Sequence, residues 1–355
     1  MSLRDLTRVI GPGQKSLRNL TLEEAREAFE VILRGDESGA RVAAFLVSLK
    51  AKGTTVEELR GFAAAARSQA DVPCTELPGL VTLCPPTGGQ DGGPPLDVAA
   101  GLIAAGAGAR VLLLTDRCVP PKRGLTGASV LEHLGCGMTW NPAECEEWVV
   151  KARFGACAVS GMLPALASLR KLREEIGVRT ALSTVEKLLA PPGSSVVVGT
   201  HPGPVLGTAI EVVTGLEHPR AMALQGMEGS LIPMISKRTR GIELIEGDLV
   251  AMNVEPNDFG LACSMEPELP LFSLPAEGQG AGDTPGLVRA AGEVTQAILA
   301  GEGGVARSAA LLGAGLILKA SGRSLTLADG VDEANRSLDS GAPMKILDQL
   351  RDLAS

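Results

Sequence analysis

The run Pro86-Thr87-Gly88-Gly89-Gln90-Asp91-Gly92-Gly93 is the segment best suited to chemistry. Without Cβ atoms in the way, backbone N–H groups can close around a ligand, and an anionic phosphate is the natural guest of such a nest. Leu80-Val81-Thr82-Leu83 before it reads as a short buried strand. Leu96 to Ala107 after it reads as an apolar helix that leads to a second strand, Arg110 to Leu114. In a βαβ unit of this kind the loop stands outside the carboxyl end of a strand, near a helix N-terminus whose dipole favours negative charge. A Gly- and Pro-rich surface turn has the same composition, so the loop alone leaves both readings open.

Other residues could serve that loop. Lys122 and Arg123, ahead of Gly124, follow the second strand, where they either reach phosphate or stay solvated. Glu228, between Gly226 and Gly229 just after a strand-like run, could hold Mg²⁺ or accept hydrogen bonds from loop amides. His201 follows Val196-Val197-Val198 and precedes Pro202, at a strand end where ligands gather, although a lone His is more often a structural hydrogen-bonder. Arg170-Lys171-Leu172-Arg173 can present a guanidinium fork to a carboxylate or phosphate, or form a solvated face balanced by Glu174 and Glu175. Ser236 to Arg240 is a second basic cluster.

Bulk composition narrows the field. The 355 residues suffice for two domains, and 45% apolar with 21% charged residues describes a globular chain. Aromatics make up 2%, with no Tyr, so the core must be aliphatic and few rings can stack on a base. A net charge of −8 disfavours generic attraction to nucleic acid or anionic lipid. Seven scattered cysteines without a C-x-x-C pair indicate neither a disulfide framework nor a zinc site, which suits a reducing cytoplasm. No signal-peptide or membrane-spanning run is legible.

The elements that must position these residues fall into two parts. Residues 1–72 read as a helical module of three short helices: Thr21 and Glu24 form a capping box, a second helix runs from about Ala40 to Lys50, and a third starts at Thr54 or Thr55. Residues 73–355 alternate strands and helices. Ala156 to Val159, Ser195 to Gly199 and Ala221 to Leu224 read as buried strands, and Ile242–Ile245 with Leu249–Val254 as an antiparallel pair. After a Pro275–Gly282 loop, amphipathic helices are expected at 287–299, 306–319, 325–338 and 345–353. The expected fold is α/β: a small N-terminal helical domain, and a large α/β domain around a central mixed, mainly parallel sheet.

This order of blocks resembles the anthranilate phosphoribosyltransferase family over nearly the whole length. The family's G-T-G-G-D-G is similar to Pro86-Thr87-Gly88-Gly89-Gln90-Asp91-Gly92, and its G-S-A-D-V-L-E-x-L-G to Thr126-Gly127-Ala128-Ser129-Val130-Leu131-Glu132-His133-Leu134-Gly135. H-P-A-M becomes Leu163-Pro164-Ala165-Leu166, and R-x-x-L-G-x-R-T is Arg173 to Thr180. Departures accompany these matches: N-V-S-T is Asp97-Val98-Ala99-Ala100, K-H-G-N is Thr115-Asp116-Arg117-Cys118, and the acidic D-E pair is reduced to Glu228. Gly226-Met227-Glu228-Gly229-Ser230 and His201-Pro202 resemble the motifs of a divergent branch of the family, some of whose members bind nucleic acid.

The resemblance implies a fold of the nucleoside phosphorylase/phosphoribosyltransferase type, with helices from about 163–189 packing on the N-terminal module, and a homodimer. It implies a donor site for phosphoribosyl pyrophosphate at Thr87, Gly88, Gly89, Asp91, Gly92, Lys122, Arg123 and Ser129, an acceptor site at Arg173 and His201, and Mg²⁺ on Glu228. The expected activity is transfer of a ribosyl-phosphate group to a small acceptor other than anthranilate. The alternative is a non-catalytic member that binds a ligand or, against its net charge, nucleic acid through Arg170, Lys171, Arg173, Arg179 and Lys187.

Overall fold

The computed structural model describes residues 2–11, 17–270 and 274–355. Its N-terminal module has four helices rather than three: α1 (Leu3–Ile10), α2 (Leu22–Arg34), α3 (Gly39–Lys52) and α4 (Val56–Arg67). The expected capping box of Thr21 and Glu24 opens α2, and a second one, Thr55 with Glu58, opens α4. The unexpected α1 is capped by the Ser2 hydroxyl and buries Leu3, Leu6 and Ile10, spaced to share one helical face. Its eight residues are too few to show a long period, so it is legible only once its partner α3 is in place.

Seven strands follow: β1 (Leu80–Cys84), β2 (Arg110–Thr115), β3 (Phe154–Ala158), β4 (Ser195–Gly199), β5 (Arg220–Leu224), β6 (Thr239–Ile245) and β7 (Asp248–Val254). They form one sheet in the order β3-β2-β1-β4-β5-β6-β7, parallel from β3 to β5 and antiparallel at β6 and β7. The β6–β7 hairpin closes through Glu246 and Gly247, both at positive φ (52° and 92°), the two-residue turn whose twist matches that of its strands.

Alternate residues of each parallel strand face opposite layers. Val81, Leu83, Val111, Leu113 and Val197 join a core with α5 (Asp97–Gly106) and the C-terminal helices. Leu80, Cys84, Leu112, Leu114, Val196 and Val198 join the same cluster as the N-terminal helices. The module is therefore continuous with one face of the sheet. Short helices, α9 (Pro164–Ser168) and α10 (Arg170–Ile176), contact α2 and α3. No helix among the described residues is long and apolar enough to cross a membrane.

One buried charge holds the module together. Glu58, 0% exposed, accepts hydrogen bonds from the Leu20 and Thr55 amides, each at 2.8 Å, and from Lys52 Nζ at 2.9 Å. Removing one partner of a buried pair leaves an uncompensated charge and orphaned amides. Glu58→Ala is therefore expected to lower unfolding stability by about 3–5 kcal/mol. Denaturant titration checks this, and a midpoint close to that of the wild type would contradict it.

Candidate active site

The loops that carry the candidate residues leave the carboxyl ends of β1, β2, β4 and β5, along one edge of the sheet. The glycine loop after β1 is clasped to the loop after β2: Gln90 and Leu125 exchange backbone hydrogen bonds of 2.7 and 2.8 Å, and the Gly124 amide donates to Gly88 O at 2.8 Å. Gly89 sits at φ +74°, and a Cβ there would lie 2.4 Å from Gly124 and Leu125 backbone atoms, so only glycine fits.

The resulting nest already holds an anion, the carboxylate of Glu228 from the loop after β5. Its oxygens accept from the amides of Asp91 (2.9 Å), Gly92 (3.0 Å) and Gly93 (2.8 Å). Lys122 Nζ donates to Gly89 O at 2.8 Å and stands 3.4 Å from both the Glu228 and the Asp91 carboxylates. Burial alone would raise the Glu228 carboxyl, but the amides of Asp91 and Gly93, Lys122 and the Gly92 amide outweigh it and hold it below its ordinary value. Glu228 adopts φ 48°, a left-handed conformation that costs a non-glycine residue about 1–3 kcal/mol.

The other expected donor residues divide. Lys122 reaches the nest, whereas Arg123 Nη2 donates to both carboxylate oxygens of Glu174 of α10, at 2.7 and 2.8 Å. Thr87 is buried, and its hydroxyl donates to Glu186 rather than facing the cleft. Ser129 lies within α6 (Gly127–His133) with 0% exposure, so its hydroxyl meets no ligand in this arrangement. That hydroxyl is buried without a hydrogen-bond partner.

The acceptor candidates also separate. Arg173, 3% exposed, donates from both terminal guanidinium nitrogens to Glu186 and from Nη2 to Ser183 Oγ at 3.0 Å. His201 is half-buried, and its Nε2 lies 2.6 Å from Arg179 Nη1. A guanidinium can only donate, so Nε2 accepts and the ring proton sits on Nδ1. Burial, then Arg179, Lys187 and Lys122, depress His201 below its ordinary value and favour the neutral ring.

The basic stretch does not form one surface. Arg173 and Lys187 are buried, Arg170 pairs with Asp116, and only Lys171 stands fully in solvent. Among the described residues, no group of three or more His, Cys, Asp or Glu side chains could hold a metal ion.

Three charged residues matter more than their spacing suggested. Glu186 joins Thr87 to Arg173; Lys187 donates to Gly199 O at 2.6 Å; Asp97 opens α5 with a buried Oδ1 that lacks a partner. Burial and the neighbouring Arg179 push Lys187 down to about 8, and burial pushes Asp97 up to about 7. Their signal in the sequence was a charge inside an otherwise apolar run, Val185-Glu186-Lys187-Leu188 and Leu96-Asp97-Val98.

Comparison with known proteins places this geometry. A family model described as "Glycosyl transferase family, a/b domain" matches residues 84–344, and one described as "Glycosyl transferase family, helical bundle domain" matches residues 5–70. Anthranilate phosphoribosyltransferase of Bacillus mycoides is 29% identical over 336 residues, covering 94% of this chain and 93% of its own. That of Azorhizobium caulinodans is 30% identical over 335 residues, covering 93% and 92%. The solved Thermus thermophilus enzyme superposes with a TM-score of 0.82 at 25% identity, covering 100% of this chain and 99% of its own. The Saccharomyces cerevisiae enzyme in complex with PRPP and Mg shares the fold, with a TM-score of 0.77 at 17% identity and coverage of 99% and 97%.

The buried acid at the start of α5 makes stability depend on pH. Because the folded-state value of Asp97 is raised from 3.8 to about 7, its contribution is fully present below 3.8 and is lost as pH rises through 7. Asp97→Asn removes that loss, so the variant is expected to exceed the wild type at pH 8 by up to about 4 kcal/mol and to match it near pH 4. Unfolding curves over that range measure the gain, and an equal difference at both ends would rule out the titration as its source.

Proposed function

Because the chain belongs to the anthranilate phosphoribosyltransferase family of glycosyl transferases, we propose that it transfers a ribosyl-phosphate group from phosphoribosyl pyrophosphate to a small acceptor other than anthranilate. The observation that carries this reading is the nest itself. Three amides and Lys122 converge on a carboxylate at the carboxyl edge of the sheet, an arrangement complementary to a phosphate oxygen. A donor phosphate entering there takes over the amides and Lys122 as Glu228 swings out. The bond from ribose C1 to the pyrophosphate oxygen then breaks as the acceptor bonds to C1. Positioning and charge stabilisation, rather than a strong base, carry such a step.

The acceptor differs from anthranilate because the groups that would hold it are absent or engaged. Leu163 and Cys118 stand where the resemblance expects a histidine and an asparagine, and Arg173 is sealed by Glu186. A reducing cytoplasm suits the seven unbridged cysteines, and the homodimer follows from the resemblance alone. The binding-protein alternative is weakened by the dispersal of its basic residues.

Mg²⁺ is bound with PRPP in the Saccharomyces enzyme. In this chain both Glu228 oxygens are engaged by amides and Lys122 stands between Glu228 and Asp91, so the carboxylates as arranged do not fit a resident ion.

Calorimetric titration with phosphoribosyl pyrophosphate, with and without Mg²⁺, tests the donor assignment; failure to bind under both conditions would refute it. In the absence of metal, Glu228→Ala is expected to bind inorganic pyrophosphate about tenfold more tightly than the wild type, because the internal competitor and its repulsion are gone. If Glu228 instead ligates Mg²⁺ in the donor complex, the variant binds the donor more weakly in Mg²⁺ than the wild type. The chain is further expected not to restore growth of a tryptophan auxotroph lacking anthranilate phosphoribosyltransferase. Restored growth would make anthranilate its acceptor.

A further inference from the structure

Helix α5 ends in a closing turn: the Gly108 amide donates to Ala105 O at 2.8 Å and the Ala109 amide to Ala104 O at 3.1 Å. Gly108 takes φ +97°, as the left-handed residue of such a turn, and stands just before β2 at the amino edge of the sheet. The nest lies at the other edge. Six residues of β2 at about 3.3 Å each put roughly 20 Å between the two.

Two guanidinium groups meet at that glycine. Arg153, which caps the helix Pro142–Ala152 at φ 62°, donates from Nη1 to Gly108 O at 3.3 Å. Arg323 comes from the turn between the helices Val305–Ala320 and Leu327–Asp339. A Cβ built on Gly108 would stand 3.0, 3.1 and 3.4 Å from its Nη2, Cζ and Nη1, so the planar group lies against the glycine and any side chain there would displace it. Both arginines are exposed. The Arg323 guanidinium has no hydrogen bond or ion pair among the described residues, and that of Arg153 has only the bond to Gly108 O.

Two more arginines extend the row. Arg110, the first residue of β2, donates to Pro78 O at 2.7 Å, and Arg220, the first residue of β5, donates to Lys319 O at 3.4 Å. Carbonyl oxygens are the only recorded hydrogen-bond acceptors of these side chains, whereas the neighbouring Lys319 is matched by Glu243. The carboxyl ends of α5 and of the helix Pro142–Ala152 explain why cations are tolerated here, because a helix C-terminus favours positive charge. They do not use them up: of five N–H donors on each guanidinium, Arg153 spends one on Gly108 and Arg323 none. In a chain of net charge −8, this edge is a local inversion of sign.

We propose that Arg153 and Arg323 form a second anion site at the amino edge, which takes a phosphate dianion, as the free ion or as the phosphate of a monoester. A tetrahedral oxyanion offers oxygens to two forks at once, and Arg110 and Arg220 add to the attraction. None of these residues belongs to the nest, so the site stands whether or not the donor reading does.

Titration of inorganic phosphate into the full chain, followed by backbone amide resonances and referenced to sodium chloride of equal ionic strength, separates the two anion sites. The Gly108, Arg153 and Arg323 amides are expected to shift together with one dissociation constant, apart from any shift of Asp91, Gly92 and Gly93. Arg153→Gln and Arg323→Gln are each expected to weaken that binding at least about tenfold, the loss of a charge-assisted hydrogen bond, while Lys122→Ala leaves it unchanged. Phenyl phosphate is the second arm: tighter binding than inorganic phosphate assigns the site to a monoester, and equal or weaker binding assigns it to the free ion. Gly108 and Arg323 amides that stay in place up to about 10 mM of either ligand, or shifts that persist undiminished in both arginine variants, would overturn the proposal.

Discussion

The glycine loop after β1, clasped by backbone bonds to the loop after β2, turns three amides onto one carboxylate. Those N–H groups need an acceptor, and the Lys122 ammonium beside them needs negative charge around it. Glu228 meets both needs at once. It thereby ties the ends of β1, β2 and β5 into one rigid edge, with His201 from β4 packed alongside. The cost is a left-handed backbone at Glu228, a local strain that the converging hydrogen bonds sustain.

A second carboxylate organises the boundary between the two layers. Glu186 accepts from the Thr87 hydroxyl on the α/β side and from Arg173 on the helical side, with Ser183 completing the arginine's shell. Such a buried ion pair has a large desolvation penalty to overcome, and its value here lies in register rather than in net stability. It holds the first residues of the loop at a fixed distance from α10. Arg123 repeats the link on the solvent side through Glu174. The site is therefore built from three internal acid–base bridges, while the Arg179 guanidinium meets the ring of His201.

The pattern of buried charges divides the site by electrostatic role. The donor side carries a negative charge at Glu228 beside Lys122, whereas burial favours the neutral acid at Asp97. The opposite side concentrates positive charge at Arg179 and Lys187, each depressed by burial. An incoming anion at the nest competes with Glu228 for the same amides.

The sequence by itself determined the α/β architecture. Short continuous apolar runs in Leu80–Cys84 and in the valines of β4, apolar helices of ten or more residues, and the two Thr-x-x-Glu capping boxes are local signals that tertiary contacts reinforce rather than create. The glycine loop and Lys122 were legible too, because glycine spacing and a strand end specify a place along one edge of the sheet. Only the tertiary structure decided what each charge faces. Glu228 and Asp91 lie 137 residues apart, as the bond between them spans, and no local pattern specifies that a carboxylate from β5 will plug the β1 loop. The same limit applies to Arg173 and Arg179. Both are arginines six residues apart in one basic stretch, but one turns inward onto Glu186 and the other toward His201, because Gly177 at φ 68° ends α10 between them. Charge type and spacing are sequence properties, whereas the partner that neutralises a charge, or leaves it open to a ligand, is fixed by which distant strands the sheet brings side by side.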